Sequence, residues 1–309
     1  MNTPLPTLRD ALPPEAGAWL LLLLGLVWGA ATIEGLVRQR LLHQPYDWRA
    51  YAASVGDALG RRAVDALGLS LAAPVLAWAY EQRLATLAVH TLWQGLLLFL
   101  LHELAYYAYH RAAHRVGWFW ASHAVHHSPN ELTLAAALRL GWTGKPTGTA
   151  LFFAPLIWLG FSPVAVLGLL ALNLQYQFWL HATWIPKLGP LEWLFNTPSH
   201  HRVHHASNPE YLDCNYGGVL IVYDRLFGTF TAERDELPPR YGLTTPQRSH
   251  NPLRINAQAW LDLGRDLVRA RGVMPRLRRL LGPPPRAADQ NPMRYRSETC
   301  SVRPAAGSK

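Results

Sequence analysis

One stretch, Pro146 to Pro186, contains no Asp, Glu, Lys or Arg, and this run constrains the chain more than any other feature. As a single helix rising 1.5 Å per residue it would extend about 60 Å, roughly twice the ~30 Å hydrocarbon core of a bilayer. It is therefore expected to fold back on itself. Gly160 and Pro163, in the sequence WLGFSPVAV, supply the turn chemistry for a helical hairpin.

Other apolar runs fit the same environment. Ala16 to Ile33 reaches the length of a transmembrane helix. The segment before it balances Arg9 against Asp10 and Glu15, so it reads as a retained anchor and not as a basic-headed signal peptide. A second run, Leu84 to Leu101, continues apolar to Tyr109, and a weaker one from Ala66 to Tyr80 carries Pro74. The weaker run is read as a short or tilted crossing or as a buried helix, with an outer turn at Glu81 to Arg83. Half of the residues are hydrophobic and 16% are charged, proportions that a soluble protein also shows, so the distribution decides.

Arginines orient the spans. Arg38, Arg40, Arg49, Arg61 and Arg62 follow the first run, and most later basic residues lie beyond Pro186, which places these segments in the cytoplasm by the positive-inside rule. The net charge of +9 is then accounted for by anionic lipid headgroups, and no nucleic-acid partner is expected. Cys214 and Cys300 fall on the same side, where a disulfide is disfavoured, and two cysteines are too few for a thiolate zinc cage. The expected fold is an all-α integral membrane protein, multi-pass, with a helical hairpin and a cytoplasmic helical cap. Residues 1–280 form the membrane-embedded domain, and 281–309 have the composition of a disordered tail.

Ten of the 14 histidines lie between His110 and His205. They form an HxxxH pair (His110, His114), one HxxHH triple (His123, His126, His127), a second triple (His201, His204, His205) preceded by His200, and the single His181. On a helix, residues three and four apart share a face, so each group projects its imidazoles in one direction. One such pair is more often hydrogen-bonded structure. Three groups together point to metal, for which imidazole is a ready ligand. Eight or nine imidazoles exceed what one ion accepts, so two ions are implied. None of these histidines has a carboxylate three residues ahead, unlike the Glu-x-x-His ligands of soluble di-iron bundles. The hairpin supplies a check, because a segment that returns to its starting side brings all groups to one membrane face.

Glu103 stands seven residues before His110, on nearly the same helix face and inside an apolar run, where a carboxylate is costly and functional by default. It is expected to orient imidazoles by accepting their second N–H. Tyr106, one turn before His110, faces the metal or substrate or else belongs to an aromatic core or interfacial belt with Tyr107, Tyr109, Trp118, Phe119 and Trp120. His43, His90, His102 and His250 read as structural.

These motifs resemble the fatty acid hydroxylase and sterol desaturase superfamily, and within it the alkylglycerol monooxygenase group and its bacterial relatives. The resemblance runs from about Phe99 to Leu243 through YYAYHRAAH, WASHAVHHS, YQFWLHATWIPKLGPLEWLFNTPSHHRVHHASN and YLDCNYGGVLIVYDRLFGTF. It implies a pair of iron ions held by His110, His114, His123, His126, His127, His201, His204 and His205, with His181 as a ninth ligand, and His200 as a structural or supporting residue. Asp213, Asn215, Tyr216, Gly217, Gly218 and Asp224 match a family signature expected either to brace the ligand helices or to serve simple turn chemistry. Four positions depart from the alkylglycerol monooxygenase pattern: Arg115 and Thr183 where Glu is usual, Cys214 for Lys, and Glu103 for Asp.

The implied activity is hydroxylation of a C–H bond of a lipid-like substrate with dioxygen, in a bacterial-type inner membrane. Zinc is able to substitute in purified protein. The partners are membrane lipids and an electron donor of unknown identity, for which a ferredoxin or cytochrome type of protein is expected because Arg115 would attract an acidic partner. Arg111, Arg139, Lys145 and Arg202 are read either as anchors for a phosphate headgroup or as ordinary positive-inside residues. A lipid or sterol desaturase and an ornithine-lipid type of headgroup hydroxylase remain open on the same site. A histidine-relay metal transporter would spread its ligands through the bilayer, whereas these cluster at one face.

Overall fold

The computed structural model describes residues 16–245 and 247–284, with side chains from residue 22. Among them the chain is helical, without a strand beyond isolated bridges. Helix α1 (Ala16–Leu36) runs into a π turn at Val37–Leu41. Helix α2 (Trp48–Ala66) begins where the Asp47 carboxylate accepts from the amides of Arg49 and Ala50, which satisfies two of its unpaired donors. A short α3 (Ala73–Glu81) precedes the long α4 (Leu92–Arg115), which opens with a capping box between Thr91 and Gln94. Then come α5 (Gly117–His123), α6 (Ala154–Leu159, led in by a 3-10 turn at Thr149–Phe153) and α7 (Pro163–Leu180). The chain continues through α8 (Pro198–His204), α9 (Val222–Leu226), α10 (Pro252–Arg269) and α11 (Val273–Leu281).

The uncharged run does turn back as expected, with α6 and α7 as the arms of the turn, but the first arm, Thr149–Leu159 with its 3-10 lead-in, is too short to cross a bilayer core. Gly160 makes the turn with φ at 127°, a conformation that side-chain-bearing residues rarely adopt. A Cβ there would also stand 2.4 Å from the Ala85 carbonyl oxygen. The connection between α3 and α4 packs on this turn, with the Leu84 amide donating to Trp158 O at 2.8 Å and the Leu87 amide to Gly160 O at 2.9 Å. Both α4 and α7 thus start at one end of the bundle. They run about 36 and 27 Å towards the other, where α4 ends in His110 and His114 and α7 in His181. Ala79, Leu98, Tyr106, Phe153, Leu156, Ile157, Phe161 and Val166 fill the core among α3, α4, α6 and α7.

Two span expectations need correction. In the run Ala66 to Tyr80, Ala66 closes α2 and helix resumes only at Ala73, and α3, nine residues long, reaches only about 14 Å, half a bilayer core. The run from Leu84 becomes helix only at Leu92, because Thr91 caps it there. Among the helices whose side chains are described throughout, α7 is the one both long and apolar enough to cross a membrane unaided, and the 21-residue α1 has the length to do so as well. The outer faces of the bundle are nevertheless apolar, with Leu92, Trp93 and Leu172 among many exposed large side chains, more than a water-facing monomer displays. The tail expected from residue 281 lies, beyond Pro284, outside the described residues, as does Cys300.

Candidate metal centre

Nine histidines converge at the end of the bundle in two adjoining groups. His110 and His114 from α4, His123 and His127 from α5 and the turn after it, and His204 from α8 form a group of five. His126, His181, His201 and His205 form a group of four. Within each group one ring nitrogen per residue lies within 4.8 Å of every other. Nitrogens bound at about 2.1 Å to a common ion would stand about 3–4 Å apart, so each group is the right size for one ion. The groups meet where the rings of His127 and His205 stack at 4.4 Å.

The backbone decides which nitrogen faces inward. The Nδ1 atoms of His110, His126, His181 and His204 lie 2.8, 3.1, 2.9 and 3.0 Å from the carbonyl oxygens of Tyr216, Arg139, Gln177 and Cys214. Each carbonyl accepts the Nδ1 proton, which fixes the tautomer and leaves the Nε2 lone pair aimed at the centre. The Nε2 atoms of His114, His204 and His205 are buried without a hydrogen-bond partner, and a metal would supply that partner. Burial, more than repulsion among the rings, pushes His123, His127, His201 and His205 well below the usual imidazole range, His126 to about 3 and His204 to about 4. At neutral pH these rings are neutral, as ligands must be.

The segment from Asp213 to Asp224 both turns and braces. Asp213 and Asn215 hold left-handed backbone at φ 60° and 58°, which Asp and Asn tolerate better than other side chains. The resulting loop aims the Cys214 and Tyr216 carbonyls at His204 and His110. Asn215 clamps the loop through Thr231 and the His200 carbonyl. The buried Asp224 carboxylate accepts from the amides of Tyr216 and Gly217 at 2.8 and 2.7 Å and from Thr229 Oγ1 at 2.6 Å.

Glu103 does not play its expected part. It is fully buried, but it accepts from the amides of Val219 and Leu220 and from Asn173 Nδ2, because the long side chain reaches past the rings to the loop behind them. It therefore acts on the peptide that carries Tyr216 and touches no box histidine in the described contacts. Tyr106 is a core residue, 5.5 Å from the His110 ring, and its hydroxyl donates to Gln177 Oε1. His200 turns away from both groups towards Glu192 and Phe230, in keeping with a structural role.

Several supporting residues were not read from sequence. Asn173, Gln177 and His181 recur every four residues along the apolar helix α7, and that polar stripe was a legible signal. Gln177 Nε2 donates to Asn173 Oδ1, which extends the chain of bonds from Glu103 to Tyr106. Glu34 of α1 is buried and holds the Leu134 amide and Trp184 Nε1. Arg139 and Arg202 are not headgroup anchors. Arg139 is buried on Ala50 O, Ser54 and Ser128, and Arg202 on Glu233 and the Ile185 carbonyl. Lys145 pairs with Asp65, and Arg111 donates to the Tyr107 hydroxyl. Arg115 ion-pairs with Asp213 at 3.1 Å, so part of its charge is already answered within the chain.

A cavity of about 420 Å³ opens beside the groups. His114, His127, His204 and His205 form part of its wall, with Trp120, Leu212 and Ile255 as apolar lining and Gln247, Arg248, Gln258, Asp262 and Asp266 at the polar side. A substrate there would meet both groups.

The fatty acid hydroxylase family profile matches residues 95–229, the segment that carries every one of these histidines. Similar curated proteins include alkylglycerol monooxygenase of Xenopus tropicalis, 41% identical over 62% of this chain and 42% of that protein. The Homo sapiens alkylglycerol monooxygenase is 43% identical over 56% and 38% of the two chains. Ornithine lipid hydroxylase OlsE of Rhizobium tropici is 32% identical over 44% and 41%. The chain thus spans less than half the length of these relatives. No solved structure matches it significantly. The histidine boxes, the all-helical architecture and this profile agree: residues 95–229 of the chain are a fatty acid hydroxylase domain, consistent with the fatty acid hydroxylase superfamily.

Proposed function

We propose that this protein is a multi-pass membrane di-iron oxygenase that uses dioxygen to hydroxylate a C–H bond of a lipid-like substrate, with its histidine site at the cytoplasmic face. The observation that carries the reading is the division of nine neutral imidazoles, eight buried and His123 half-buried, into a five and a four, beside a cavity large enough for part of a lipid. The lipid hydroxylases among its relatives support the substrate class. His110, His114, His123, His127 and His204 would hold one iron and His126, His181, His201 and His205 the other. Bound iron supplies the redox chemistry that activates dioxygen, and zinc would occupy the same nitrogens without that capacity.

The protein's own residues orient and protect. Carbonyls of Tyr216, Cys214, Arg139 and Gln177 fix the rings, and Asp224 and Glu103 fix the loop that presents two of those carbonyls. Trp120, Leu212 and Ile255 exclude water from the substrate's side of the site. Hydroxylation places one oxygen atom in the product and releases the other as water, which takes two electrons and two protons from an external donor. A ferredoxin or cytochrome type of protein fits that requirement. The polar side of the cavity, Gln258, Asp262 and Asp266 with Arg248, gives weight to a second reading in which the attacked carbon lies in or next to a polar headgroup.

Mass spectrometry of lipids from cells with and without the gene, grown under ¹⁸O₂, tests the proposal. A lipid gaining one labelled oxygen only when the gene is present is the expected result. An unchanged lipidome, or a product that has lost two hydrogens and gained no oxygen, would overturn hydroxylation.

A further inference from the structure

Helices α10 and α11 lie outside the matched family segment, and their outer surface is unlike that of the rest of the cap. Between Arg269 and Leu281 there are five arginines and no Asp or Glu. In α11, Val273, Leu277 and Leu281 recur every four residues with Met274 beside them, and all four are exposed. Val268 at the end of α10 is 80% exposed. Arg276 and Arg278, also exposed, flank this apolar stripe at helical spacing. An apolar face bordered by cations, on a helix too short to span, is the pattern of a segment lying in the plane of a membrane interface.

The position of the arm agrees with that pattern. Trp260 of α10 packs on Trp118 at 5.0 Å and donates to Thr143 Oγ1, while Trp118 donates to Thr147 O. Thr143 and Thr147 immediately precede Thr149, where the apolar hairpin begins. Exposed Leu67, Leu69 and Leu71 sit nearby, with the Leu71 amide bonded to Lys145 O. The arm is thus within two side chains of the level at which the chain enters its apolar layer. On the inner side the Gly117 amide donates to Gly282 O at 2.9 Å, which ties the arm to α5 and therefore to the histidines. Asp262, Leu263, Asp266 and Arg279 of the arm line the cavity.

We propose that the arm formed by α10 and α11 docks on an anionic lipid surface, with Val268, Val273, Met274, Leu277 and Leu281 below the headgroups and Arg269, Arg271, Arg276 and Arg278 among the phosphates. The inference rests on the membrane placement proposed above. A second copy of the chain is a poor occupant for this face, because it would bring two sets of arginines together. Since the arm also walls the cavity, docking sets the cavity beside the lipid surface.

The full chain with Met274→Cys and Cys300→Ser is labelled with an environment-sensitive fluorophore and placed in nanodiscs of phosphatidylcholine alone or with phosphatidylglycerol. Cys214 is buried. Blue-shifted emission and quenching by shallow spin-labelled lipid are expected in the anionic discs. Arg271→Gln, Arg276→Gln and Arg278→Gln together should shift the docked equilibrium on the order of 100-fold, at about a fivefold effect per arginine. A label that stays water-quenched in both discs, in protein that has entered them, overturns the docking alone. Protection that needs no lipid and grows with protein concentration assigns the face to a second copy and overturns it as well. A chain that does not enter discs at all overturns both this inference and the membrane reading beneath it.

Discussion

In its hydrogen bonds to Tyr216, Gly217 and Thr229, Asp224 acts through its carboxylate on the loop and not on a histidine, yet the structure makes it a determinant of metal retention. Its carboxylate accepts three hydrogen bonds, two of them from the consecutive amides of Tyr216 and Gly217, and the Tyr216 carbonyl in turn accepts from His110 Nδ1 at 2.8 Å. Asp224→Asn keeps the shape but has only one acceptor oxygen, so its amide nitrogen must turn a donor towards another donor. A buried hydrogen bond to a charged group is worth about 1.5–3 kcal/mol, and losing one while opposing two donors should cost about 3 kcal/mol. With the Tyr216 peptide loosened, His110 loses its orienting partner, a change that typically lowers metal affinity about 10–100-fold. Thr229→Val is the control: it deletes the third bond together with the contact of Thr229 Oγ1 to the Tyr107 hydroxyl, leaves both amides held, and should cost about 1–2 kcal/mol while leaving metal retention unchanged. The assay is metal content after dialysis against a graded chelator series, alongside thermal unfolding of the metal-free proteins in detergent. Asp224→Asn protein that resists chelation as well as wild type would refute the reasoning, and so would Thr229→Val protein that loses metal equally readily.

Elemental analysis of protein made in iron-replete cells should find about two metal ions per chain, and about one after His181→Ala, which breaks the group of four and leaves the group of five intact. A His181→Ala protein holding two ions would contradict the division of the ligands. His127→Ala and His205→Ala should abolish turnover, whereas His43→Ala and His250→Ala, both remote from the two groups, should remain active in the same assay. Asp57, buried against Asn256 and the Leu140 amide, has its carboxyl pushed up from 3.8 to about 6, chiefly by burial. The folded state therefore holds this proton more tightly than the unfolded chain, so its contribution is full below pH 3.8 and is lost as pH rises through 6, an effect of roughly 3 kcal/mol at most. Asp57→Asn should flatten that part of the stability profile in denaturant titrations across the window, and a variant with the wild-type slope would dismiss the assignment. Reporter fusions after Arg62 and Lys309 should both read cytoplasmic, and opposite readings would reverse the proposed topology.

Spacing and local chemistry made the ligands and the hairpin legible in the sequence. HxxxH puts two imidazoles on one face of α4, the HxxHH triples hold theirs close in sequence even though His126 and His127 lie in the turn after α5, and a run too long for one crossing, broken by Gly160 and Pro163, has to turn. Both are properties of a few neighbouring residues, so one dimension suffices to see them. Which histidine joins which ion was not visible. Adjacent His126 and His127 fall into different groups, as do His204 and His205, because consecutive side chains diverge, in the turn after α5 as at the end of α8, and only the packing of α4, α7 and α8 decides which neighbours they meet. The partners of the rings were equally hidden. Most are main-chain carbonyls, which every residue possesses, and the aim of two of them, Cys214 and Tyr216, depends on the left-handed turns at Asp213 and Asn215. Glu103 stands out in sequence because a carboxylate in an apolar run demands partners, but those partners are amides 116 and 117 residues away along the chain and not the imidazoles expected. The cost of burying a charge can be read from its neighbours in sequence; what offsets that cost is supplied by residues that only the folded chain brings within reach.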